Sequence, residues 1–123
     1  MKGSGTSGFS LIELLVTLAV IGILSAVLIP NLLQARESAL DRAAQAYARN
    51  VYSVAVAHLG EHPNNEVIAG DCTEGYFTDN YAIETPGSNV VASCQVEDPE
   101  DRNYPRVSVI SGPGAVFVIP EDD

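Results

Sequence analysis

Positive charge is scarce in this 123-residue chain. Six Lys and Arg stand against 16 Asp and Glu, a formal net charge of −10. After Lys2 the next cation is Arg36, followed by Arg42, Arg49, Arg102 and Arg106. Cations this sparse argue against a nucleic-acid groove, which needs clustered Lys and Arg, and against anionic lipid as the main partner of the acidic part. No glycine-rich phosphate loop occurs, so the chain has no nucleotide site of its own. No Asn-X-Ser/Thr sequon occurs either, which removes N-linked glycosylation and leaves O-linked modification of serines open. The 2 histidines, His58 and His62, lie in HLGEHP, where Gly60 and Pro63 are stop signals for a helix. That stretch is not H-E-x-x-H, and His58 and His62 read as capping or seam residues rather than metal ligands. Asp98, Glu100 and Asp101 do not have EF-hand spacing and read as a solvated acidic turn. With no constellation of nucleophile, base and orienting group, neither catalysis nor a cofactor is expected.

What the chain does have is one long apolar run. Residues 9–29 carry a single charge, Glu13, and would reach roughly 30 Å as a helix, the thickness of a bilayer core. Residues 1–8, MKGSGTSG, read as a flexible leader. A plain signal peptide has an apolar region of about 7–15 residues and then a cleavage site. Here the run is longer and passes into a helical pattern, so a lasting anchor is favoured. Lys2 and the amino terminus place the leader on the cytoplasmic side and the body outside, although Arg36, Arg42 and Arg49 blunt the contrast.

Pro30 removes a helical hydrogen bond to the carbonyl of Ala26, so the helix is expected to kink or loosen there and then resume. Beyond it, Leu33, Leu40, Ala43, Ala44, Tyr47, Val51, Val54, Ala55, His58 and Leu59 recur at helical steps, an amphipathic stripe ending near Gly60 and Pro63. The rest reads as strands. Gly75–Glu84 puts Phe77, Tyr81 and Ile83 on one parity. Ser88–Glu97 puts Val90, Ala92, Cys94 and Val96 on one face. Tyr104–Ser111 carries Val107 and Val109, and Ala115–Ile119 is a short apolar run. Turns at Thr85-Pro86-Gly87, Asp98 to Asp101 and Ser111 to Gly114 separate them. The expected fold is α+β: a long N-terminal helix packed on an antiparallel sheet of three to four strands. Its segments are residues 1–8, 9–30, 31–60 and 61–123, with an acidic, solvated tail. Cys72 and Cys94 lie on the same side of the apolar run. In an oxidising compartment they form a disulfide, placed near the helix–sheet seam, and otherwise they are buried thiols.

Glu13 is the outlier. A carboxylate in such a run costs about 2–3 kcal/mol on insertion scales and calls for a partner. No Lys or Arg lies between residues 3 and 35. Cleavage after Gly8 would create an amine at Phe9, one helical turn from Glu13 in the same chain or as close from a neighbour. The plainer alternative is an interfacial acid that snorkels out of the span.

Gly8-Phe9-Ser10-Leu11-Ile12-Glu13 resembles the type III signal motif of the type IV pilin superfamily, G-F-[ST]-L-[IL]-E. The likeness continues through LLVTLAVIGILSAVLIPNLLQAR to Arg36. It implies cleavage after Gly8 by a prepilin peptidase and methylation of the Phe9 amine. Glu13 would pair with the methylated amine of a neighbouring subunit, and Pro30 would mark where the helix loosens in a filament. Gly22 and Ala26 form a small-xxx-small pair of the kind that lets helices approach. The short leader with one lysine suits the type IVa class. The resemblance implies a single-pass prepilin of the cytoplasmic membrane, polymerised as a homo-oligomer by an assembly machine with partner ATPases. The product would be a thin surface filament for adhesion, twitching motility or DNA uptake, with this chain as a major subunit. The rivals are a pseudopilin of a type II secretion system, which shares the motif, and a minor pilin. Known major pseudopilins commonly bind calcium and usually lack a disulfide, so Cys72 and Cys94 favour a pilin.

Overall fold

A computed structural model describes residues 3, 5, 8–62, 64–100 and 103–121. Lys2, Pro63, Asp101 and Arg102, named above, lie outside the described residues, as do residues 1, 4, 6 and 7 of the leader and 122–123 of the acidic tail. The element order is α1 (Leu11–Glu61), β1 (Gly70–Asp71), β2 (Gly75–Phe77), β3 (Ala82–Glu84), β4 (Val91–Glu97), β5 (Arg106–Ser111) and β6 (Val116–Ile119). The chain divides into two compact units, Met1–Ala35 and Arg36–Asp123. The fold is α+β, one long N-terminal helix with antiparallel strands after it.

In the N-terminal unit the helix runs unbroken through Pro30. Proline deprives the Ala26 carbonyl of its usual donor. One residue along, Asn31 donates its Nδ2 to the carbonyl of Val27 at 3.0 Å. Every large apolar side chain from Phe9 to Leu33 is exposed. None of these side chains is buried by the described residues.

The C-terminal unit holds the core. Ala44, Tyr47, Ala48, Val51, Ala55 and His58 of α1 are buried, at spacings of three and four that define one helical face. They pack with Cys72, Tyr76, Val91, Cys94, Val96, Val107 and Val109. Fully burying a valine contributes roughly 1.5 kcal/mol or more, so Val51, Val91, Val96, Val107 and Val109 form the main apolar support. The expected stripe is present from Ala44 onward. Ala48 joins it, whereas Leu33 is exposed. Helix α1 ends as Asn65 donates its Nδ2 to the carbonyl of His58 at 2.6 Å, a side-chain cap for an otherwise unpaired carbonyl.

The main sheet has the order β1-β4-β5-β6, antiparallel throughout. Two expectations about its faces need correction. In β4 the buried residues are Val91, Cys94 and Val96, while Ala92 is exposed. The register shifts between Val91 and Ser93. This bulge adds one residue, which flips the parity of everything before it. The second correction concerns Gly75–Glu84, which is a hairpin and not one strand. Strands β2 and β3 pair with each other in a separate two-stranded sheet. Thr78 closes the turn, its N–H donating to the Tyr81 carbonyl at 2.8 Å and its Oγ1 accepting from Tyr81 N–H at 3.1 Å. Consequently Tyr76 is buried and Phe77 is exposed. Val107 and Val109 face the core as expected. Gly112 turns the chain between β5 and β6, and a Cβ there would overlap the Asn89 carbonyl.

Candidate functional site

Two regions carry the functional signals, and each is built locally. The first is the start of α1. Ser10 precedes the first helical residue and Glu13 stands three positions on. The Ser10 hydroxyl accepts from Glu13 N–H at 3.3 Å, and the Glu13 carboxylate accepts from Ser10 N–H at 3.4 Å. This is a reciprocal capping box, in which the side chains at the two ends of a first turn satisfy each other's backbone donors. The S-x-x-E spacing was visible in the sequence and supplies a second reason for an acid at Glu13. Thr17 places its hydroxyl 2.7 Å from the Glu13 carbonyl and 2.9 Å from that of Leu14, tying the second turn to the first.

Phe9, Ile12, Glu13, Val16 and Thr17 line a shallow groove, and Glu13 is its only acid. A second shallow groove, beside Pro30, is lined by Leu28, Ile29, Asn31 and Leu32. Gly8 and Phe9 are exposed, Phe9 at 82%. An open glycine before an exposed aromatic is a segment a protease can take up in extended form. Helix α1 also contains a window long and apolar enough to cross a bilayer, none of it buried.

The second region is the disulfide. Cys72 and Cys94 are joined, and both have 0% exposure. Tyr47 reaches from α1 to donate its hydroxyl to the Cys72 carbonyl at 2.6 Å. Cys72 N–H donates in turn to the Cys94 carbonyl at 3.0 Å. The bridge therefore sits at the helix–sheet seam of the C-terminal unit, as its place in the pattern suggested. Burial holds the Tyr47 hydroxyl above the usual tyrosine range, and the negative charge of Asp71 adds to this. Tyr76 is raised by burial alone, and its hydroxyl donates to the Ile68 carbonyl at 3.0 Å. Asp71 is shifted the other way, because the Thr73 hydroxyl and then the Thr73 N–H, at 2.7 Å, stabilise its carboxylate.

The remaining polar residues act as ties. His58 is buried, with Nδ1 unbonded and 4.0 Å from a Glu61 oxygen, beyond hydrogen-bond reach. His62 is exposed, so the two histidines do not converge. Among the described residues, no three His, Cys, Asp or Glu side chains gather closely enough to hold a metal. The Glu61 carboxylate accepts from Asn80 Nδ2 at 3.0 and 3.1 Å, fixing the β2–β3 turn to the helix end. Ser111, wholly buried, donates to Asp41 at 2.5 Å and accepts from Gly114 N–H at 3.2 Å and Ala115 N–H at 2.9 Å. Nothing in the sequence marks that tie, because its partners lie 70 positions apart.

Residues 4–29 match the prokaryotic N-terminal methylation motif. The N-terminal part is 62% identical over 40 residues to the type IV wide pilus major component PilA4 of Thermus thermophilus. The match covers 32% of this chain and 30% of that protein, so less than a third of either is compared. No solved structure matches the chain.

Proposed function

We propose that this chain is a type IV pilus subunit of the major class. It is held in the cytoplasmic membrane by residues 9–30 until it is polymerised into a thin surface filament. The observation that carries this reading is a methylation motif heading an apolar helical run whose large side chains the described residues leave exposed. Such a helix needs either lipid or other copies of itself around it. The membrane supplies the first surrounding and a filament core the second.

The processing chemistry follows from the motif. A prepilin peptidase cuts between Gly8 and Phe9, and the freed Phe9 amine is methylated and remains cationic. In a water-excluding core an unpaired carboxylate is heavily penalised. Glu13 meets the Phe9 amine of a neighbouring subunit, and a copy in the wrong register leaves both charges unmatched. Until then the capping box gives Glu13 a local partner in its own chain. Pro30, already short of one backbone donor, is where α1 loosens when subunits pack. Assembly and its ATPases are supplied by partners. The filament serves adhesion, twitching motility or DNA uptake, and direct nucleic-acid binding by this acidic subunit is not expected.

The bridge between Cys72 and Cys94 favours a pilin over a pseudopilin of a type II secretion system. The deciding measurement is the intact mass of the chain in filaments sheared from cells. An abundant species starting at methylated Phe9 is expected. The same species confined to membranes would instead indicate the pseudopilin, and an unprocessed chain starting at Met1 would refute both. A pair of variants then separates the two roles of Glu13. Gln serves a capping box as well as Glu does. Glu13→Gln should therefore keep the helix start yet lose filaments, as Glu13→Ala should too. Wild-type filament yield from Glu13→Gln would assign Glu13 to capping alone.

A further inference from the structure

The end of α1 holds a polar atom that the fold seals from solvent and leaves without a partner. His58 Nδ1 is buried and makes no hydrogen bond, and the side chain is only 10% exposed. Buried polar atoms are nearly always bonded, so an orphan calls for an explanation. One acceptor stands just out of reach: a Glu61 oxygen lies 4.0 Å from Nδ1, three residues on along the helix. A neutral imidazole carries one N–H, whereas an imidazolium carries an N–H on both nitrogens. Once His58 is protonated, closing the gap by roughly 1 Å gives a charge-assisted bond of ordinary length. The last turn of a helix favours a cation as well, because its carbonyls lack N–H partners.

The other ionisable groups of the unit face elsewhere. In the connection after α1, His62 and Glu66 are exposed. In the β2–β3 hairpin Asp79, Tyr81 and Glu84 are exposed, and the Tyr76 hydroxyl is bonded to the Ile68 carbonyl. In the main sheet Asp71 is exposed and bonded to Thr73, while Glu97 and Arg106 alternate with buried Val96 and Val107 and so point away from the core. Among the described residues, Glu61 is the one acid within 4.0 Å of His58. Glu61 also holds the hairpin, since its two oxygens accept from Asn80 Nδ2 at 3.0 and 3.1 Å. A carboxylate has lone pairs enough to serve His58 with one oxygen and Asn80 with the other.

We propose that His58, Glu61 and Asn80 form a pH-sensitive latch, in which protonated His58 fixes Glu61 and thereby clamps the β2–β3 hairpin to the end of α1. The latch lies within the C-terminal unit and does not depend on the pilin reading. A bond from imidazolium to carboxylate to amide strengthens each link, because every donor polarises the next acceptor. The clamped form binds one proton more than the loosened form. Closure is therefore favoured as pH falls through the range in which imidazoles charge, about 5 to 8, and is lost as pH rises through it. Below about pH 4 carboxylates themselves take up protons, and the clamp fails again. The hairpin displays Phe77 and Tyr81 to solvent, so acidity sets how firmly two exposed aromatics are held.

Hydrogen exchange of the full chain in detergent micelles, expressed as protection relative to the intrinsic rate at each pH, reads the clamp directly. Between about pH 8 and about pH 5.5, residues 75–84 should gain about 5-fold or more in protection, while 91–97 and 106–111 change by less than about 2-fold. Glu61→Gln keeps an acceptor for Asn80 but offers no charge to the imidazolium, and should lose the gain. Asn80→Ala should lose it too, even though the ring nitrogens of His58 still report protonation by NMR. His58→Leu removes the titrating ring from a buried site, and the Glu61 and Asn80 variants decide the matter if that one misfolds. His62→Gln alters the exposed neighbour and should keep the full gain. An unresponsive hairpin in the wild-type chain, an equal gain in β4 and β5, or a gain that survives Glu61→Gln would each overturn the latch. So would loss of the gain in His62→Gln.

Discussion

The tie between Asp41 and Ser111 offers the sharpest test of how the C-terminal unit is held together. Ser111 uses its whole hydrogen-bonding capacity, donating to Asp41 at 2.5 Å and accepting from Gly114 and Ala115. Replacing Ser111 by Ala removes a charge-assisted hydrogen bond, typically about 1.5–3 kcal/mol net. It also strands the Ala115 N–H, whereas Gly114 N–H keeps the Ser111 carbonyl at 2.9 Å. Asp41 is only half-buried, so water recovers part of the loss. We expect a destabilisation of about 2–4 kcal/mol for Ser111→Ala, and about 1–3 kcal/mol for Asp41→Ala because the Ser111 hydroxyl keeps its two donors. The double variant should fall short of the sum by about 1–2 kcal/mol, the signature of a shared interaction. Urea unfolding of the full chain in detergent micelles, followed by tyrosine near-ultraviolet circular dichroism, measures each value. Additivity within about 0.4 kcal/mol would show that the two residues act independently and would refute the argument.

Reduction of Cys72–Cys94 releases a loop whose closure contributes about 3 kcal/mol in the chain-entropy model. Limited proteolysis should then cut residues 66–90 well before α1, and unchanged resistance would count against a structural bridge. Stability should hold up to the ordinary tyrosine value of 10.0 and decline above it, because the folded Tyr47 and Tyr76 hydroxyls keep protons that the unfolded chain releases. Tyr47→Phe should flatten that alkaline slope. The sign reverses for Asp71: its contribution is present above the ordinary value of 3.8 and is lost as pH falls through its lower folded value. Asp71→Asn should make acid unfolding less steep. Gly112→Ala should destabilise by about 1–3 kcal/mol as the Asn89 backbone is pushed aside, and wild-type urea resistance would refute that clash.

Much of this was legible in the residues because its signals are local. The apolar run, the stripe from Ala44 to His58 and the alternation of Val107 and Val109 follow from helix and strand periods. The faces of β4 did not, because a bulge is a backbone event and Val90-Val91 fits either parity. The Asp79-Asn80 turn splits β2 from β3, but Phe77, Tyr81 and Ile83 share one parity across it and so read as a single strand. Strand β1, only Gly70–Asp71, is too short to show a period. At the candidate site, Gly8, Phe9 and Glu13 stood out by motif and by misplaced charge. The capping role of Ser10 was equally readable from its spacing. Asp41 with Ser111, by contrast, is a long-range pair that only folding reveals.

The main sheet exposes very little backbone at its edges. One edge is the two-residue β1, and the other is the four-residue β6, followed at once by Pro120, which has no N–H to offer. Long open edges invite strand-to-strand pairing with any neighbour, whatever its sequence. A protein kept at high density beside its own copies would then aggregate through the main chain, by a route that point mutation barely affects. With these edges so short, any recognition between copies would fall to side chains. Surface residues can then change one at a time, altering which chains associate while the sheet beneath them stays the same.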